Sequence, residues 1–174
     1  MTRIVVVTGA SGTGKTTLVR ALEARNLPGI RCHYFDSVGI PTAEAMIAEF
    51  GSPEEWQTAT TRRWIAKLAE NGDPYQLAVL EGQVRPSVVQ AAFARCGVTH
   101  GEILLIDCGQ EVREARLRFE RRQPELASPQ MAAWAAYLRG QSDALGLPIL
   151  DTTYLTIVEA TQDLTTRVQA WATD

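Results

Sequence analysis

Residues Gly9-Ala10-Ser11-Gly12-Thr13-Gly14-Lys15-Thr16 satisfy G-x-x-x-x-G-K-[ST] at every fixed position. The stretch lies between RIVVVT (3–8), a β-branched run that reads as a strand, and Leu18, Val19 and Leu22, which are apolar at helical spacing. A strand that delivers a glycine-rich turn into a helix N-terminus makes an anion cradle. The glycines let backbone N–H groups turn inward, the helix end adds positive potential, and Lys15 adds a flexible point charge. In a loop of this kind the lysine meets the β and γ phosphates of ATP, and the Thr16 hydroxyl ligates Mg2+.

Of 17 basic residues only Lys15 and Lys67 are lysines, so a lysine at position 15 departs from the chain's own habit. An arginine fork is not equivalent there. The sharpest rival comes from VVVTGASGTG, which resembles the TG-x-x-x-G-x-G of short-chain dehydrogenases. That pattern needs glycines at positions 13 and 15, which hold Thr13 and Lys15, and no tyrosine is followed four residues later by a lysine. The reductase reading fails.

With 174 residues, 45% of them hydrophobic, the chain has enough material for one buried core, and a single domain over 1–174 is expected. The net charge of -3 supplies no field that would draw it to nucleic acid or an anionic membrane, so small molecules are the expected partners. The opening apolar run stops at Gly9, too short for a signal peptide, and no stretch is long enough to span a bilayer. A cytoplasmic protein is expected. Cys32, Cys96 and Cys108 lack C-x-x-C spacing and read as reduced fillers. With only His33 and His100 beside them, a zinc site of the His/Cys kind is set aside.

Further strands are expected at about 30–36, 77–82, 102–108 and 148–151. Helices are expected from near Thr42, from Pro53 to about Asn71, from Pro86 to Gly97, through an arginine-rich segment that breaks before Pro124, from Ser128 to Ala144, and after Thr156. Ser52-Pro53-Glu54-Glu55 carries an N-cap, a proline at N1 and a glutamate at N3, and Thr156 with Glu159 forms a capping box. Continuous apolar strands alternating with helices imply an α/β fold whose parallel sheet is covered on both faces. Ligands in such folds sit at the carboxyl ends of the strands, where Gly9, Asp36, Glu81 and Asp107 or Cys108 fall.

The loop, the order of elements and the chain length together resemble the small P-loop kinases of the adenylate, shikimate and gluconate kinase-like superfamily, chloramphenicol phosphotransferase included. The resemblance implies a three-layer P-loop NTPase fold with a five-stranded parallel sheet, acceptor-binding helices at about 40–72 and a short lid at about 118–128. It implies nucleotide contacts from Gly9, Ala10, Ser11, Gly12, Thr13, Gly14, Lys15, Thr16 and Thr17, with Arg116 near adenine. Arg121 or Arg122 would reach the transferring phosphoryl group. Asp36, in HYFDS, would be the base that faces a hydroxyl acceptor, with Gln83, Arg85 and Arg62 as acceptor contacts.

Several of these residues keep a second reading. Asp36 also fits a strand-end cap or an outer-sphere Mg2+ partner. Glu81 fits either a carboxylate holding a Mg2+-bound water or a substrate ligand. Arg85 and the lid arginines also fit solvated helix surface, and Glu114 with Arg118 is a favourable i, i+4 pair. Trp56, Ala59 or Thr60, Arg63 and Trp64 fit a ring-binding pocket or ordinary core.

The activity implied is γ-phosphoryl transfer from Mg-ATP to a hydroxyl of a small metabolite or antibiotic-like acceptor. The alternatives are a nucleoside monophosphate kinase, and a non-catalytic ATP- or GTP-binding switch. Against guanine, neither lysine is preceded by the asparagine of N-K-x-D.

Overall fold

A computed structural model describes residues 3–70 and 75–173. Five strands, β1 (Arg3–Thr8), β2 (Ile30–Tyr34), β3 (Leu77–Glu81), β4 (Gly101–Asp107) and β5 (Ile149–Asp151), pair in the order β2-β3-β1-β4-β5. Every pairing is parallel. Parallel neighbours require crossovers, which are made through α1 (Lys15–Glu23), α2 (Ala43–Phe50), α3 (Pro53–Glu70), α4 (Pro86–Cys96), α5 (Gln110–Ala115) and α6 (Pro129–Ala144), and α7 (Ile157–Thr173) follows the last strand.

Side-chain alternation along the strands builds two cores. Ile4, Val6, Ala78, Leu80 and Ile103 face one way and bury Trp64, Ile65, Val89 and Phe93 of α3 and α4. Val5, Val7, Val79, Leu104 and Ile106 face the other way, against Leu18, Leu22, Leu164 and Val168 of α1 and α7. A sheet buried on both faces has no polar side, which is why its strands read as continuous apolar runs.

The helix starts follow the cap chemistry of the sequence. Ser52 Oγ accepts from Glu55 N, Ser128 Oγ accepts from Met131 N, and Thr156 and Glu159 each accept from the other's backbone N–H. The expected end of α3 at Asn71 lies outside the described residues.

Two segments depart from the expected elements. β2 ends at Tyr34, and Phe35–Val38 is a 3-10 turn closed by Gly39 N donating to Asp36 O, so Asp36 stands just past the strand. The arginine-rich helix ends at Ala115 and becomes a π turn, Arg116–Glu120, in which Arg121 N donates to Arg116 O. One extra residue per turn rotates everything that follows relative to a continuous helix.

Among the described residues no helix is long and apolar enough to cross a membrane.

Candidate active site

β1 is the central strand, and the chain leaves it toward β2 on one side and later reaches β4 on the other. The crevice of an open parallel sheet falls at such a reversal, and residues 9–14 occupy it. Thr8, fully buried, pins the exit of β1 by donating to Val84 O at 2.7 Å and accepting from Val84 N at 3.1 Å. Gly9 must be a glycine because a Cβ there would lie 2.4 Å from Ile106 O and 2.9 Å from Thr13 Oγ1. Thr13 Oγ1 donates to Ala10 O at 2.9 Å and closes the turn. At the N-terminus of α1 the capping residue is Gly14, which has no side chain to satisfy the first N–H groups. Those donors suit an anion.

Register brings Glu81 level with Val7 and Tyr34, one step below the loop. Its carboxylate is buried, accepts from Thr16 Oγ1 at 3.0 Å and lies 3.7 Å from Lys15 Nζ. Burial holds the Lys15 ammonium below the usual lysine range, Glu81 and Asp36 push it back up, and Arg121 lowers it further. Lys15 therefore senses Glu81, Asp36 and Arg121 together.

A cavity of 300 Å3 opens over the loop, lined by Lys15, Thr16, Thr17, Arg20, Arg116 and Arg121 among others. Gly14, Thr17, Arg116 and Glu120 are shared with a second space of 280 Å3 that adds the apolar Leu18, Leu155, Ile157 and Ala160. A polyanion and a flat apolar ring fit this pair of spaces in that order. Arg116 stands at their junction, donating to Thr13 O, Thr152 Oγ1 and Thr152 O at 3.3, 2.9 and 3.0 Å.

The residues present fit a nucleotide phosphate chain and a hard cation. Glycines clear the cradle, and a hydroxyl beside a buried carboxylate is the oxygen donor set Mg2+ takes.

A third cavity of 290 Å3 lies between α2 and α3 and is lined by Phe50, Trp56, Thr60, Arg63, Trp64 and Lys67, with Val38 and Gly39 from the turn after Asp36. The tryptophans serve core and cavity at once. Trp64 is 6% exposed and donates from Nε1 to Phe35 O at 3.3 Å, while Trp56 meets Phe35 edge-on at 5.9 Å.

Two of the arginines singled out in the sequence stand outside these cavities, while the residue next to each lines one. Arg62 is exposed and outside the α2–α3 cavity, which Arg63 lines instead, its guanidinium 5.7 Å from the Phe50 ring. Adjacent helix positions diverge by about 100°, and Arg62 falls on the side of α3 away from this cavity. Arg122 is exposed with φ 54 and is not among the residues lining the space over the loop, which Arg121 lines.

Gln83 and Arg85 are engaged in a relay. Gln83 Oε1 accepts from Ser11 Oγ at 3.2 Å, Gln57 Nε2 donates to Gln83 O at 2.8 Å, and Arg85 Nη1 donates to Gln57 Oε1 at 2.9 Å. Arg85 also lies over the Trp134 ring at 5.2 Å, so the relay ties the loop to α3 and α6. Gln57, Arg20 and Glu120 are site residues the sequence reading missed. The first two sit at unremarkable helix positions, and Glu120 is exposed by the π turn.

The fold is the three-layer P-loop fold, with the glycine-rich loop at the carboxyl end of the central strand. No protein-family model and no curated protein matches the chain. Solved structures that share the fold include a shikimate kinase from Acinetobacter baumannii in complex with shikimate, with a TM-score of 0.63, 15% identity, and 98% of this chain and 94% of that one covered. A gluconokinase from Sinorhizobium meliloti 1021 has TM-score 0.63, 14% identity and the same coverages, and the Deinococcus radiodurans tunicamycin resistance protein has TM-score 0.62, 18% identity, and 98% and 95%.

Proposed function

We propose that this protein is a kinase that transfers the γ-phosphoryl group of Mg-ATP to a hydroxyl of a small acceptor, within the cytoplasm. The convergence of Glu81, Asp36 and Arg121 on Lys15 carries the reading. A loop that only held a nucleotide would not need an exposed carboxylate and a second cation at its mouth.

In this reading Gly9 to Thr17 hold the phosphates and Arg116 borders the base. Thr16 and, through a water, Glu81 would hold Mg2+, which when bound would supply neutralisation of the phosphate charge. Asp36 orients the acceptor hydroxyl and takes its proton as the new oxygen–phosphorus bond forms and the bond to ADP breaks. Arg121 meets charge on the equatorial oxygens. The relay through Gln83, Gln57 and Arg85 fixes the loop relative to the acceptor helices.

The α2–α3 cavity is the acceptor site in this proposal. Its aromatic walls suit a ring or sugar, and Arg63 and Lys67 outnumber Glu49 there, which favours an acceptor with negative charge. That charge keeps the nucleoside monophosphate reading as the second choice. Arg63→Ala should raise KM for the acceptor roughly tenfold, the scale of one lost charge-assisted contact. Arg62→Ala should leave KM within about twofold, as expected for an exposed substitution. Equal effects in steady-state kinetics would remove the cavity from the acceptor site.

The reading is tested by ADP release from Mg-ATP over sugars, nucleosides, nucleotides and hydroxylated antibiotics. Turnover on a hydroxyl acceptor is expected. Release no faster than the uncoupled background for every class would overturn the kinase reading, and turnover on nucleoside monophosphates alone would select the second.

A further inference from the structure

The two adjoining spaces over the loop differ in character. One carries the cations Lys15, Arg20, Arg116 and Arg121, and the other the apolar Leu18, Leu155, Ile157 and Ala160. Their common wall is Gly14, Thr17, Arg116 and Glu120. A nucleoside triphosphate carries its sugar between base and phosphates. With phosphates in the cationic space and the base in the apolar one, the sugar falls at these four residues.

Glu120 is out of place there on electrostatic grounds, because a carboxylate at the edge of a polyanion site weakens binding by like-charge repulsion. Helix-surface pairing does not account for it either. Glu120 is exposed, and among the described residues its carboxylate forms no ion pair and no hydrogen bond. Glu114 shows what such pairing looks like, accepting from Gln110 Nε2 at 2.9 Å and lying 3.8 Å from Arg118. The backbone sets the position: in the turn closed by Arg121 N and Arg116 O at 2.9 Å, Arg116, Glu120 and Arg121 all line the space over the loop. In a regular α-helix Arg121 would fall well off the face that Arg116 and Glu120 share.

Of the four shared residues, Gly14 has no side chain and Arg116 can only donate, which it does to Thr13 O and to Thr152. Thr17 offers a neutral hydroxyl. Glu120 is the charged acceptor of the set, with two oxygens and no proton to give. A ribose presents two adjacent hydroxyls that donate, and a carboxylate holds the sugar in the same way in dinucleotide-binding folds.

On the nucleotide reading above, we infer that Glu120 is the sugar-reading residue of the site, its carboxylate accepting from a ribose hydroxyl of the donor nucleotide. The contact gives up some phosphate affinity and gains selectivity for a hydroxylated sugar. Because Glu120 and Arg121 share one turn, a held sugar also seats the turn that carries Arg121.

The test titrates the magnesium complexes of ATP and 2′,3′-dideoxy-ATP, and inorganic tripolyphosphate, into the full chain as wild type, Glu120→Ala and Glu120→Gln. A melting curve accompanies each, and substitution of this exposed side chain should leave melting close to the wild type. The wild type should bind dideoxy-ATP roughly tenfold more weakly than ATP, the scale of one hydrogen bond to a charged group. Glu120→Ala should bind the two nucleotides alike, and Glu120→Gln, which keeps an acceptor without the charge, should recover part of the preference. Tripolyphosphate has no sugar, so Glu120→Ala should bind it as tightly as the wild type or up to about threefold more tightly, a like charge being gone. A residue that only shapes the turn predicts an equal loss for all three ligands. That result, equal affinity of the wild type for ATP and dideoxy-ATP, or a preference for ATP that survives Glu120→Ala, would each overturn the inference and leave the nucleotide reading standing. A wild type that binds tripolyphosphate but not ATP would overturn the nucleotide reading and the role of Glu120 with it.

Discussion

Lys15→Met is expected to lower turnover by roughly 10²–10³-fold, the loss typical of removing one donor from developing negative charge, while the protein melts close to the wild type. The split follows from the two roles of the ammonium. In the fold it is 8% exposed, and burial is the largest influence on it, so replacing it with an apolar stem of similar length relieves a cost. The same change leaves Glu81 with Thr16 as its remaining polar partner, which raises a cost. These terms oppose, and the net change in stability is small. Catalysis has no such cancellation, because no other cation lies 3.7 Å from the carboxylate at the root of the loop among the described residues. Turnover on the acceptor found in the screen, together with a melting curve, makes the comparison. Near wild-type turnover at an unchanged melting temperature would remove the phosphate-loop role of Lys15.

What could be read from the sequence was whatever depends on local chemistry. The loop is contiguous, the caps at Ser52, Ser128 and Thr156 are written within four residues, and the apolar runs at 3–8 and 77–81 leave little choice but buried strands. The set Trp56, Thr60, Arg63 and Trp64 was visible as one helix face, and the structure has these residues lining one cavity. Choices between adjacent residues were not visible. Arg62 against Arg63 depends on helix phase, and Arg121 against Arg122 depends on a π turn that no residue type announces. Which of two adjacent, chemically identical residues lines a cavity is decided by phase, which residue type does not report.

A second kind of miss has a different cause. Arg113 reads as one arginine among many in a charged helix, yet its stem packs against the glycine at position 12, about a hundred residues away in the chain. Glu81 is similar. Its two sequence readings divided evenly because both need only a carboxylate at the end of β3. The 3.0 Å contact with Thr16 is tertiary information, and it favours the Mg2+ water role over the substrate role in the proposal above.

Asp36→Asn should lower kcat by roughly 10²-fold or more on a hydroxyl acceptor, with ATP affinity retained. The side chain stands in the exposed 3-10 turn after β2, and its charge is felt at Lys15, so it lies near where γ-phosphate and acceptor must meet. Asparagine keeps the size and most of the hydrogen bonding but cannot take a proton. An alcohol has a proton to lose as it attacks, whereas a nucleoside monophosphate already offers an anionic oxygen, and for that acceptor a negative neighbour is a burden. The same substitution therefore has opposite consequences under the two enzyme readings: a large loss with a hydroxyl acceptor, little change or a gain with a phosphate acceptor. Turnover of the variant and an independent nucleotide titration separate the terms. If ATP affinity falls by the same factor as kcat, Asp36 belongs to the Mg2+ shell and the base assignment is wrong.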